Sequence, residues 1–94
     1  MNHISVLMNE SGDGWAAAVV VTGDDGSSTK HAVGLSRDLY NQLTGGKATP
    51  ETLVKASFEF LLEREPKESI LGQFDLPVIS RYFPEFERSI AGRF

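Results

Sequence analysis

Apolar and polar positions alternate from His3 to Met8, which places Ile4, Val6 and Met8 on one side of an extended chain. The next apolar run, 15–22, is β-rich and apolar on both sides. Trp15, Ala17, Val19 and Val21 form one row, and Ala16, Ala18 and Val20 form the other. A third run covers 29–35. Between the runs, Asn9-Glu10-Ser11-Gly12-Asp13-Gly14 and Gly23-Asp24-Asp25-Gly26-Ser27-Ser28 have turn composition, and the Asp-Gly pair in the second is a hairpin signal. Short connections of this kind predict a three-stranded antiparallel meander, with strands near 3–8, 15–22 and 29–35.

The period then changes from two to 3.6. Ser36 is placed to cap a helix over 37–44 that Gly45-Gly46 ends. Thr49-Pro50-Glu51 supplies a cap, a first-turn proline and an acid at the positive end of the helix dipole, so a long helix is predicted over 50–65, stopped by Pro66. Further helices are predicted over 67–74 and, after Asp75-Leu76-Pro77, over 77–90, with Pro84 as a break or restart. On the long helix Leu53, Val54, Ser57, Phe58, Phe60 and Leu61 spread over nearly half the circumference, opposite Glu51, Lys55, Glu59 and Glu63. An arc that wide needs two neighbours: the sheet on one flank and a C-terminal stripe of Phe74, Ile79, Phe83, Phe86 and Ile90 on the other. The fold class is therefore α+β, three to four helices lying mainly on one face of a three-stranded sheet.

That arrangement gives the two sheet faces different fates. Trp15, Ala17, Val19 and Val21, with Ile4, Val6, Met8, Val33 and Leu35, make a bulky face suited to the helices. Ala16, Ala18 and Val20, joined by Ser5, Ala32 and Gly34, make a small, smooth face with nothing in the sequence to cover it. Ala16, Ala18, Val20 and Ala32 are thus candidate interface residues, and a homodimer is the expected partner arrangement.

With 94 residues the chain is read as a single domain, 1–94; 40% apolar and 23% charged residues describe a globular rather than a disordered chain. The absence of cysteine excludes disulfides, thiolate metal sites and thiol nucleophiles. The start, MNHISVLMNE, lacks the basic stretch and apolar run of a secretory signal, and no segment has the length to span a bilayer, so no membrane partner and a cytoplasmic setting are expected. Net charge is −4, shared as −2 in each half, which argues against a nucleic-acid partner held by phosphate neutralisation.

Candidate chemistry is thin. Thr44-Gly45-Gly46-Lys47-Ala48-Thr49 lacks the spacing and the preceding strand of a phosphate-binding loop and reads as one helix stop followed by a helix start. His3 and His31 are the only histidines, and with no ligand spacing around them neither a metal nor another cofactor is expected. His31 shares its strand face with Val33 and Leu35, so a partly buried, hydrogen-bonded histidine is favoured over a general base. Glu63/Glu65 and Glu85/Glu87, at i,i+2 on helices, point to different sides and are read as solvated faces. No serine lies in a Gly-x-Ser-x-Gly setting. Arg64 falls about 20° from Leu53 on the helix wheel, inside the apolar arc; a packed stem and a guanidinium paired with an acid or the last carbonyls account for it. Arg81, Arg88 and Arg64 are the candidate anion or partner contacts.

Ser57-Phe58-Glu59-Phe60-Leu61-Leu62-Glu63-Arg64-Glu65-Pro66, then Glu68-Ser69-Ile70-Leu71, Phe74-Asp75-Leu76 and Arg81-Tyr82-Phe83-Pro84-Glu85, resembles a family of small bacterial proteins of unknown function. The resemblance spans roughly the C-terminal half, with a weaker echo in Lys30-His31-Ala32-Val33 and Tyr40. It implies a bacterial origin and brings no catalytic residues. The order of three strands then a helix is also similar to the sheet-and-helix domains of certain antitoxins and double-stranded-RNA binders, whose signature residues are absent. The expectation is a non-enzymatic protein-interaction module that self-associates. The rivals are an RNA- or DNA-binding domain using Lys30, Arg37, Lys47 and the C-terminal arginines, and an enzyme acting through His31.

Overall fold

In a computed structural model that describes residues 2–94, the chain forms strands β1 (His3–Ser11), β2 (Gly14–Thr22) and β3 (Ser28–Ser36), then helices α1 (Arg37–Thr44) and α2 (Pro50–Leu62). A single 3-10 turn (Lys67–Ser69), a short strand β4 (Gln73–Asp75) and two short helices, α3 (Val78–Tyr82) and α4 (Phe86–Ala91), complete it. The architecture is α+β. The sheet has the order β1-β2-β3-β4, with three antiparallel strands in sequence and β4 added parallel to β3.

The first hairpin is tighter than its composition predicts. Ser11 pairs with Gly14, so only Gly12 and Asp13 form the loop. Gly12 has a φ of 55° and Asp13 stays at negative φ, the pattern of a type II′ turn, whose twist matches that of the strands. A Cβ on Gly14 would run into the carbonyl of Leu35 on the neighbouring strand, so the hairpin depends on glycine there as well. The second connection is looser; Asp25 accepts from both the amide and the hydroxyl of Ser27 at 3.0 and 2.7 Å. Lys67 lies against this loop at Gly23, which places the 3-10 turn beside the β2–β3 corner, and its ammonium bonds Glu68 of the same turn at 2.7 Å.

The helix signals work as capping chemistry requires. Ser36 accepts from the amide of Leu39, Thr49 accepts from Thr52 with Pro50 in the first turn, and Gly45 closes α1 at a φ of 61°. α2 ends at Leu62, three residues before the expected stop. The amides of Arg64 and Glu65 both turn back to the carbonyl of Leu61, and Pro66 has no N–H with which to resume the ladder.

The largest departure from the sequence expectation lies at 67–74, where the predicted helix is absent beyond one 3-10 turn. β3 would otherwise present an unpaired edge. The amide of Ala32 bonds the carbonyl of Gly72, and the amide of Leu76 bonds the carbonyl of Gly34, at 2.8 and 2.9 Å. Asp75 is consequently a strand residue, and α3 begins at Val78, after Pro77, with no side-chain cap. The helix predicted over 77–90 is two helices, because Pro84 interrupts it between Tyr82 and Phe86.

All four helices pack on the bulky face. Leu53, Val54, Phe58 and Phe60 of α2 are completely buried, as are Leu76, Phe86 and Ile90 beyond it. The two flanks of α2 meet different aromatic partners. Phe58 packs at a tilt against His31 of β3 and Phe74 of β4, with centroids 5.3 and 6.1 Å apart, whereas Phe60 meets Phe83 and Phe86 edge-on at 6.0 and 5.2 Å. Fully burying each such ring contributes about 1.5–3 kcal/mol. Among the described residues no helix is long and apolar enough to cross a membrane.

Candidate functional site

Strand register places the small residues of the sheet in continuous rows on the face the helices leave uncovered. Leu7 stands opposite Ala18, Ala18 opposite Ala32, and Ala32 opposite Gln73. The row above runs Asn9, Ala16, Gly34 and Asp75; the row below runs Ser5, Val20 and Lys30. Ala16, Ala18 and Ala32 are exposed and Val20 is half-buried. Leu7 lies 64% exposed in the central row, an apolar side chain with water above it and alanine beside it. The sequence reading of this face as small and smooth leaves out Leu7, whose bulk makes it one knob beside a flat floor. Asp75 folds over Gly34, where a Cβ would collide with its carboxylate. β4 therefore adds an acidic edge to a face whose other edge is neutral.

A second feature lies on the helical side. The end of α2, the segment 69–74 and α3 enclose a cavity of about 120 Å³, lined by Leu61, Ile70, Leu71, Phe74, Val78, Ile79, Tyr82 and Phe83, with Glu65 and Ser69 as its polar members. Leu71 and Tyr82 remain 45% and 66% exposed at this site. Glu65, expected on a solvated face, is half-buried, and burial pushes its carboxyl above the ordinary glutamate value. No signal along the sequence could have found this, because Glu65 reaches the cavity only through the early end of α2 and the turn at 63–65.

His31 is buried and committed at both ring nitrogens. Nδ1 donates to the carbonyl of Leu71 at 2.7 Å, which leaves Nε2 to accept from the hydroxyl of Thr29 at 2.8 Å in the neutral ring. Among the described residues no carboxylate bonds to it. Arg64 is similarly engaged. Its guanidinium lies 3.6 Å over the ring of Phe60, donates to the Phe60 carbonyl at 3.1 Å, and pairs with Glu85 at 3.2 Å and Glu63 at 3.3 Å. Glu85 is held below its ordinary value by its own backbone amide and then by Arg64. Arg81 and Arg88 are exposed on α3 and α4 and make none of these contacts, so the three arginines do not share a ligand.

The remaining cations are equally scattered. Lys30 is on the open sheet face, Lys47 follows α1, and Arg37 stacks on Trp15 at 4.6 Å while pairing with Glu10 at 3.1 Å. Among the described residues no three His, Asp or Glu side chains gather as a metal-binding group. Compared with protein-family models, curated proteins and solved structures, the chain matches none.

Proposed function

We propose that this protein is a non-enzymatic interaction module that self-associates through the uncovered face of its sheet. The observation that carries the reading is the central row, in which Leu7 and Ala32 flank Ala18 on either side. A two-fold axis running along β2 exchanges the two sides of that row, so Leu7 of each copy lies over Ala32 of the other. A bulky side chain then sits on a small one, twice, around a pair of Ala18 residues. Such closure suits the C2 symmetry that small homo-oligomers favour.

The available area is adequate. Strand spacing of about 4.8 Å and a rise of about 3.3 Å per residue give roughly 500 Å² of flat face for this sheet. Two faces together reach the ~1,000 Å² at which specific interfaces begin, and side-chain relief adds to it. Small side chains let the two backbones approach at the ~10 Å spacing of stacked sheets without leaving voids.

Sedimentation velocity over a concentration series tests the proposal. The expected result is a monomer–dimer equilibrium that Ala18→Glu abolishes in a folded chain, since a carboxylate at the centre of a dry interface has no partner. Leu7→Ala is expected to weaken the dimer without unfolding the monomer, because the leucine is exposed in the single chain. A wild type that stays monomeric at high micromolar concentration would overturn the reading, as would an Ala18→Glu dimer of unchanged affinity.

A further inference from the structure

We propose that the cavity between the end of α2, segment 69–74 and α3 is a docking site for a partner peptide that presents an aliphatic side chain next to a lysine or arginine. Three independent features of the site point there. The first is size: at about 120 Å³ the cavity is somewhat smaller than a benzene-holding cavity of about 150 Å³, so it suits one leucine-, isoleucine- or methionine-sized group. It is too small for a nucleotide or a drug-sized cofactor, which occupy some 300–1,000 Å³.

The second is the surface around the opening. Among the described residues three large hydrophobics are left exposed, and two of them, Leu71 and Tyr82, belong to this site. Apolar area therefore continues beyond the cavity, which favours an occupant longer than a single small molecule. Tyr82 offers a ring to cover the chain of the peptide and a hydroxyl to bond its backbone, the combination that enriches tyrosine at binding surfaces.

The third is charge. Glu65 is the one ionisable carboxylate in the lining, and no hydrogen bond or ion pair to a described residue satisfies it. A half-buried carboxylate without a partner carries an uncompensated loss of hydration, which an ammonium or guanidinium brought to it removes. Its raised titration has the same cause. The site thus selects by two contacts, an apolar group in the cavity and a cation at its rim. It does not depend on self-association, for it lies on the helical side of the sheet.

Amide chemical shifts of the ¹⁵N-labelled full chain, titrated with three capped tetrapeptides, provide the test: acetyl-Gly-Leu-Lys-Gly-amide, its Leu-Glu counterpart and its Ala-Lys counterpart. The expected result is shifts centred on Leu61, Ile70, Leu71, Phe74 and Ile79, with the Leu-Lys peptide binding about tenfold more tightly than either control. Glu65→Gln should retain the fold and bring the Leu-Lys and Leu-Glu peptides to the same affinity. Leu71→Ala, at an exposed position, should weaken both leucine peptides alike. The proposal is overturned if these amides do not move at millimolar peptide, if Leu-Glu binds as well as Leu-Lys, or if isobutylamine alone matches the Leu-Lys peptide.

Discussion

The Nδ1–H of His31 donates a 2.7 Å hydrogen bond to the carbonyl of Leu71, forty residues further along the chain. That bond ties β3 to the segment which, one residue later, begins to pair along the β3 edge, and it sets one wall of the apolar cavity. The histidine is thus a positioning residue with both nitrogens occupied.

Replacing His31 with Ala leaves the Leu71 carbonyl without its donor and opens a void beside Phe58. The expected loss is about 2–4 kcal/mol. In hydrogen exchange, protection at Ala32 and Leu76, whose amides bond Gly72 and Gly34, should fall more than in the β1–β2 hairpin. Equal loss across the sheet would show that His31 supports the core generally rather than this edge.

Phe58 lies at one edge of the α2 arc and Leu61 about 60° from it, nearer the middle; both are buried, Phe58 against His31 and Phe74, Leu61 toward the cavity. Truncating either to Ala should cost about 2–5 kcal/mol by urea denaturation, with Phe58 the costlier. Leu61 borders existing empty space, so its variant leaves a larger cavity but displaces fewer packed neighbours. A Leu61→Ala chain with an unchanged melting midpoint would place the core elsewhere.

Arg64 joins the end of α2 to the start of α4 through Glu85 and covers Phe60 with its guanidinium plane. Arg64→Ala should lose about 1–2 kcal/mol, mostly from packing and the cation–π contact. Arg64→Lys should recover only part, because an ammonium cannot stack on the ring and reach a carbonyl and two carboxylates together. Full recovery by lysine would reduce the interaction to simple charge.

Gly14→Ala should destabilise the meander by roughly 1–3 kcal/mol, since the added methyl meets a strand carbonyl rather than a movable side chain. Gly26→Ala meets open space instead and costs only what its φ of 84° imposes on a residue with a Cβ. A thermal melt in which Gly26→Ala is the more damaging would contradict the close approach at Gly14.

The carboxylates give stability opposite slopes with pH. Asp25 titrates below its ordinary value because the Ser27 hydroxyl and amide bond to it, Glu68 because the Lys67 ammonium does, and Glu85 through its own amide and Arg64. A value lowered by folding contributes stability above the unfolded range near pH 4 and loses it as pH falls through the folded value. Glu65 is raised, so its contribution is present below that range and is lost as pH rises through the folded value. Calorimetric melting temperatures between about pH 3 and pH 8 should therefore diverge for two variants. Glu65→Gln should melt above wild type at neutral pH, and Glu85→Gln below it, both converging on wild type in acid. A Glu65→Gln chain less stable than wild type at neutral pH would mean the carboxylate has a partner.

Local chemistry in the sequence determined the meander, the caps of α1 and α2 and the apolar arc of α2. Each depends on neighbours within a few positions: alternation for the strands, Ser36 and Thr49 with the amides three residues on, and a 3.6 period for the helix. The division of the sheet into a bulky and a small-residue face was legible for the same reason. The fold alone decided what happens from 63 to 86. A three-residue strand is too short to show a period, and Gln73–Asp75 is a strand because β3 had a free edge to satisfy. Whether Glu65 faces water or an apolar cavity depends on where α3 lies, and the partner of Arg64 depends on where α4 begins. Burial and pairing of charges are properties of the space between elements, and a one-dimensional pattern does not contain that space.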